Sequence, residues 1–268
     1  NSEQDTQQYA IAAKPDGTKI YTVGVNTDDI FEYTLSTAWD LSTISYTTNF
    51  DASQQLAQPF GLVFKPDGSK FYVTDKFDDK VFQFDMSTAW DLSTASAPSN
   101  VGIVRGYVST VSQMSNPYWT EFKSDGTAMY VGDYSGTIYQ YTLSTAWDVT
   151  TASYANKSFT HSGNSYLTCF TFNNDGTKLY PFNYNTKDFH QYSLSTAWDI
   201  STASYDNVGT SLDMGTYDGP SSFDLDFTSG NMVVMRSERI HRFTGFTTTT
   251  TSYNTTPVWV NGTVNDEL

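Results

Sequence analysis

The chain has little of what stapled extracellular domains and metal centres are built from. One cysteine, Cys169, stands among 268 residues, so no disulfide can form within the chain and no thiolate pair can hold zinc. The three histidines, His161, His190 and His241, show no His-x-His or Glu-x-x-His spacing, and no Ser-His-Asp arrangement is legible around them. Lysine and arginine total 14 against 29 acidic residues, a net charge of −15. With no basic stripe, nucleic acid is not an expected partner. No apolar run approaches the roughly 20 residues of a spanning helix, so membrane insertion is not expected either.

What is present is repetition. Leu35-Ser36-Thr37-Ala38-Trp39-Asp40 recurs at 86–91, 143–148 and 194–199, placing Trp39, Trp90, Trp147 and Trp198 at intervals of 51, 57 and 51 residues, the spacing of propellers and related arrays. Upstream of each phrase stands an Asp-Gly pair, Asp16-Gly17, Asp67-Gly68, Asp125-Gly126 and Asp175-Gly176. Asp-Gly between apolar runs marks a tight hairpin because it accepts positive φ at the central turn positions. Gly17, Gly68, Gly126 and Gly176 are therefore expected at positive φ, as structural residues. Alternating aromatic and β-branched runs flank the turns, such as Phe60-Gly61-Leu62-Val63-Phe64 and Lys70-Phe71-Tyr72-Val73. A third run leads into the tryptophan phrase and a fourth follows it. Four strands per unit of about 50 residues make a propeller blade.

A degenerate fifth copy runs through Phe223, Ser229-Gly230, Met232 and Ile240 and loses the tryptophan phrase, as terminal repeats often do. The expectation is an all-β chain, a single five-bladed β-propeller with four-stranded blades near 7–52, 53–110, 111–160, 161–215 and 216–268, the outermost strand of the last near 253–261. No spare strand is left to lace the first blade to the last, so closure is expected to rest on side chains or on a short N-terminal strand. Cys169 falls in a first strand and reads as a small core residue. The chain opens at Asn1 without methionine or a signal-like apolar segment, which reads as a processed or excised piece of a larger protein or assembly.

The strand, Lys-Pro-Asp-Gly-Thr-Lys, strand pattern resembles bacterial propellers of the YncE, TolB and lactonase type. The longer phrase at 140–154 and 191–205 is similar to repeats in uncharacterised proteins of marine phages and marine bacteria. The resemblance implies the architecture and, since propellers host many functions, no particular activity.

In a four-stranded blade the Asp-Gly turns and tryptophan phrases share one face of the ring, while second-to-third strand loops and blade crossovers share the other. The tryptophans read as structural, the indole covering the outer blade edge and the following aspartate capping a turn. The second face varies between copies and gathers Asn116, Tyr118, Trp119, Asp133, Tyr134, Asp78, Asp79 and Tyr184. Aromatics beside Asp and Asn suit sugar recognition, because a pyranose offers an apolar C–H face and a rim of hydroxyls. The extra residues near 101–114 point to the entry of the third blade, where Trp119, Tyr118 and Asn116 with Asp133 and Tyr134 form the expected pocket. The null for Trp119 is an inner-strand core role. The pairs Asp28/Asp29 and Asp78/Asp79 could serve glycoside cleavage, but sequence neighbours on a loop diverge. Calcium at the Asp-rich loops is conceivable from their oxygen donors; no other cofactor is expected. The sequence reading is thus a non-catalytic binding module on an extracellular or virion surface, its partner a glycan or cell-surface polymer. A glycosidase or lyase on the same face, or a purely structural surface protein, are the alternatives.

Overall fold

The computed structural model describes residues 7–96, 99–100, 103–104, 106–161, 166–185, 188–211, 222–226, 231–236 and 239–243. The fold is all-β and propeller-like. Blade one is the antiparallel sheet β1 (Gln8–Ala13), β2 (Lys19–Gly24), β3 (Asp29–Leu35) and β4 (Ile44–Asp51). Blade two holds β5 (Pro59–Phe64), β6 (Lys70–Asp75) and β7 (Lys80–Met86), with β8 (Ala95–Ser96) and β11 (Tyr107–Ser109) sharing the outer edge of β7. Between those two, β9 (Ser99–Asn100) and β10 (Ile103–Val104) pair with each other. Blade three is β12 (Pro117–Phe122), β13 (Ala128–Asp133), β14 (Thr137–Leu143) and β15 (Ala152–Thr160), and blade four β16 (Leu167–Phe172), β17 (Lys178–Asn183), β18 (Asp188–Leu194) and β19 (Ala203–Ser211). A last sheet has three strands, β20 (Ser222–Asp226), β21 (Asn231–Arg236) and β22 (Arg239–Phe243).

Four blades are therefore complete among the described residues, not the expected five; the outer strand expected near 253–261 lies outside them. A second correction concerns the insertion near 101–114. It does not build a loop over the variable face but splits and extends the outer edge of blade two.

The repeated phrases act as one unit. Gly17, Gly68, Gly126 and Gly176 have φ of 71°, 72°, 73° and 70°. Each tryptophan also sits at positive φ, 62° to 65°, and donates its backbone N–H to the carbonyl of its own turn glycine at 2.9–3.0 Å. The indole then lies flat on the glycine: a Cβ built at Gly68 would stand 2.2 Å from Nε1 of Trp90, and the other three turns are as close. The tryptophans thus cover the first hairpin of their blade, not its outer edge. Asp40, Asp91, Asp148 and Asp199 N-cap the 3-10 helices Leu41–Thr43, Leu92–Thr94, Val149–Thr151 and Ile200–Thr202, each accepting from a backbone N–H two residues on and from that residue's hydroxyl.

Among the described residues neighbouring blades share no strand pairing, so apolar packing and side-chain bonds hold the seams. Tyr21 donates its hydroxyl to the carbonyl of Trp90 in the next blade at 2.8 Å, Tyr72 to that of Trp147 at 2.8 Å and Tyr130 to that of Trp198 at 2.6 Å. One strand over, Glu32 accepts from the Leu92 N–H at 2.8 Å, Gln83 from Val149 and Gln140 from Ile200, both at 3.3 Å. Each seam so fixed satisfies the first N–H of a 3-10 helix that would otherwise be buried without an acceptor. Around these bonds the buried rings Tyr21, Phe71, Phe84, Tyr130, Phe170 and Phe182 fill the wedges.

The last sheet closes differently. Its β20 packs against β16 on one side and β1 on the other; Ser222 Oγ accepts from the Ile11 N–H at 2.9 Å and Asp224 Oδ2 from the Ala13 N–H at 2.7 Å. The register places Val233 where Tyr21, Tyr72 and Tyr130 stand, so the tyrosine bond has no counterpart in this sheet. Val233 and Ile240 instead join Ile11, Ile20, Phe31 and Leu41 in a separate apolar cluster.

The contact of indole on glycine predicts non-additive stability. Gly68→Ala should cost more than about 2 kcal/mol, from positive φ and from overlap with Trp90 together. In a Trp90→Ala background, itself roughly 3 kcal/mol less stable, it should cost only about 1 kcal/mol because the overlap is gone. Urea denaturation of the four proteins reads the coupling; equal cost in both backgrounds would refute the stacking argument.

Candidate functional site

On the variable face, β12 and β13 bring Asn116, Tyr118, Asp133 and Tyr134 to one corner between blades. Asp133 does not present its carboxylate to a ligand. It is buried, accepting from the Asn116 N–H at 3.1 Å and from the Ser135 N–H at 2.7 Å. Asp75 does the same work in blade two, accepting from the N–H groups of Ala57, Gln58 and Asp78 at 2.7–2.8 Å. These aspartates stitch each crossover to the end of the second strand. Tyr118 and Tyr134 do stack, with ring centroids 4.5 Å apart, and extend an aromatic arc through Tyr9, Phe60 and Tyr166 in which successive centroids lie 4.5–5.1 Å apart. Lys76 sits over Phe60 and Tyr118 at 5.0 and 5.1 Å.

Tyr184 touches this arc through its backbone, donating to the Tyr166 carbonyl at 3.0 Å. Asp78 pairs with Lys80 at 2.8 Å. Asp79, at φ 51°, has its carboxyl pushed up by burial and by the charges of Asp133, Asp75 and Asp78. Among the described residues no three His, Cys, Asp or Glu side chains gather to hold a metal ion. Other crossover and loop positions, Asn164, Tyr217, Asp218, Ser237 and Glu238, lie outside the described residues.

Trp119 leaves this corner altogether. It is 3% exposed and turned into the ring, so its structural role is that of an inner-strand residue. The register aligns it with Gly61 and Cys169, the latter buried with its thiol pushed far up by burial. Its indole lines a cavity of about 340 Å³ enclosed by the first strands of all five sheets. The cavity reaches Pro15, Pro66 and Asn174 beside the Asp-Gly turns, and so belongs to the repetitive face.

One register layer gives this cavity its chemistry. Ala12, Val63, Glu121, Thr171 and Asp224 occupy equivalent places, each opposite the second-strand position of Tyr21, Tyr72, Tyr130, Tyr180 or Val233. Three of the five are small or apolar and uncharged; Glu121 and Asp224 are not. Glu121 Oε1 accepts from Trp119 Nε1 at 3.3 Å. Burial and then the charge of Asp224 push this carboxyl up to about 8. At neutral pH the protonated form of Glu121 is thus favoured, and among the described residues the lining of its cavity includes no lysine or arginine. The sequence reading missed both acids. Glu121 was visible as the single acidic residue of its layer in the four blades aligned on the Asp-Gly turn; Asp224 was hidden because Gly230 stands six residues after it, where the other turn glycines stand five residues after Ala12, Val63, Glu121 and Thr171, which shifts that alignment.

No protein-family model matches the chain, and no curated protein matches it in sequence. Solved structures do. The periplasmic gluconolactonase of Pseudomonas aeruginosa superposes on 97% of this chain and 68% of its own at 14% identity and a TM-score of 0.52. A protein from Lactobacillus plantarum covers 87% and 66% at 15% identity and 0.53, and a candidate 6-phosphogluconolactonase from Bacteroides uniformis 87% and 65% at 15% and 0.50. The chain spans about two thirds of the length of these neighbours. At such identities they establish the β-propeller fold. They also correct the expected adhesion module: the named neighbours are lactonases, not adhesins, and the carboxyl pair sits in the cavity, away from the face on which the adhesin reading rested. Among the described residues no helix is long and apolar enough to cross a membrane.

The protonated carboxyl makes a signed prediction. Since folding raises the affinity of Glu121 for its proton, its contribution to stability is complete below the unfolded value, near 4.5, and is lost as pH rises through about 8. Glu121→Gln cannot titrate, so the stability difference between variant and parent should shift in favour of the variant from pH 5 to pH 9, by on the order of a few kcal/mol. Chemical denaturation at the two pH values measures it, and a pH-independent difference would place Glu121 in water.

Proposed function

We propose that the chain is a hydrolase that opens a small cyclic ester in its central cavity, with Glu121 as general acid. The observation that carries this reading is a carboxylic acid whose environment favours its protonated form at neutral pH, the state a proton donor requires, lining a cavity open to solvent. Water adds to the lactone carbonyl carbon, the acyl–oxygen bond breaks, Glu121 gives its proton to the departing ring oxygen, and the added water supplies the proton that restores Glu121. The named neighbours support a sugar-acid lactone as the substrate class. That no lysine or arginine lines the cavity among the described residues favours an uncharged ring over a phosphorylated one, which would need such a cation to hold it. A second carboxylate across the cavity, Asp224, favours glycoside cleavage as the second reading.

The reading takes the three-stranded sheet as the inner part of a fifth blade, with the innermost strands β1, β5, β12, β16 and β20 completing one ring. An extracytoplasmic setting, suggested by a charged fraction of 16% and by the periplasmic neighbour, goes with it. The aromatic arc of the variable face takes no part in the chemistry.

Titrating proton release from glucono-lactone, its 6-phosphate and nitrophenyl glycosides separates these readings. Hydrolysis of the unphosphorylated lactone is expected, falling as pH rises through about 8, with kcat/KM lowered about 100-fold or more in Glu121→Gln. Turnover of glycosides alone would transfer the site to the second reading, and turnover of neither would reject the hydrolase.

A further inference from the structure

Asp224 serves both the closing seam and the cavity. Its Oδ2 accepts the Ala13 N–H at 2.7 Å, fastening β20 to β1 where blades one and last meet. The same side chain lines the cavity in the layer of Glu121, with Thr171 between them in ring order. We propose that Asp224 is a positioning residue, whose carboxylate both closes the ring and fixes the working state of Glu121 across the cavity. This rests on the hydrolase reading for what Glu121 does, but not for how the two acids are coupled.

The surroundings single Asp224 out. Titratable groups on the strands packed against β12 are Lys70, Tyr72 and Asp75 on β6, Tyr130 and Asp133 on β13, and Cys169 on β16. Lys70 is paired with Asp85, and Asp75 and Asp133 are tied to backbone N–H groups of the crossovers. The Tyr72 and Tyr130 hydroxyls are spent on the neighbouring blade, and the Cys169 thiol is neutral. Asp224 is the group whose charge opposes ionisation of Glu121. An aspartate held to a backbone N–H of another blade cannot swing away from that charge, so its distance from Glu121 is set by closure itself. Were Asp224 to lose its hold on the Ala13 N–H, Glu121 would ionise at lower pH.

Asp224→Asn tests this with little change of shape, since its amide oxygen still accepts the Ala13 N–H while the charge is gone. With glutamate side chains labelled in 13C and the Glu121 signal assigned through Glu121→Gln, the titration midpoint should fall by about one pH unit or more in Asp224→Asn. Ser222→Ala removes the other closing bond without touching charge; it should lower thermal stability and leave the midpoint in place. An unchanged midpoint in a folded Asp224→Asn, or an equal fall in Ser222→Ala, overturns the proposal. The nuclear titration needs no substrate, so failure of lactone turnover and failure of this coupling are separate outcomes.

Discussion

The bond from a tyrosine hydroxyl to the tryptophan carbonyl of the next blade is the interaction on which the ring depends. Within a blade, strands are held by backbone ladders that almost any β-forming sequence can supply. Between blades there is no ladder, and each sheet ends its contact with the next in side chains. The tryptophan can offer its carbonyl because its backbone is turned to positive φ, a conformation that is costly for a bulky residue and persists only when its surroundings over-determine it. Here the turn glycine does so, by accepting the tryptophan N–H and leaving room for its ring. Asp-Gly, Ala-Trp-Asp, the second-strand tyrosine and the third-strand Glu or Gln are therefore four parts of one joint, and this is why they recur together.

The joint also explains where the repeat breaks. In blade four Gln191, at the place of Gln83 and Gln140, donates to Asp206 of its own blade at 2.7 Å. In the last sheet the tyrosine has become Val233 and the third-strand position Arg242. Closure then passes to the innermost strands, through Ser222 and Asp224 onto the backbone of β1. A hydroxyl and a carboxylate placed so near the ring axis are acceptable there because their partners are backbone N–H groups at an edge that has no further strand.

The strand pattern, the turns and the caps were legible because each follows from local chemistry repeated often enough to be recognised. The division of the ring into a repetitive and a variable face was legible too. What failed was the inference from variation to function. Asp133 varies little from Asp75 in role, and both are consumed by the crossovers; Trp119, read as a stacking platform, points inward because residues of the innermost strand alternate between neighbours and cavity. The insertion near 101–114 went to the outer edge, where added strands cost no seam contact. Glu121 escaped notice because one charged residue in an alternating strand looks like ordinary solvent-side polarity until its layer is assembled from the other blades.

A closed ring of similar blades creates a cavity whose walls are nearly symmetric, and symmetry is a poor basis for catalysis because it offers equal groups in equal places. This ring departs from it where Ala12 and Val63 face Glu121, Thr171 and Asp224. The two acids differ in turn by partner: Asp224 is held by a backbone N–H, while Glu121 accepts from an indole N–H that does not offset its burial. Their environments therefore separate two carboxyl groups in one cavity into a fixed acceptor and an acid whose proton is held more tightly, which is the asymmetry the proposed acid catalysis needs.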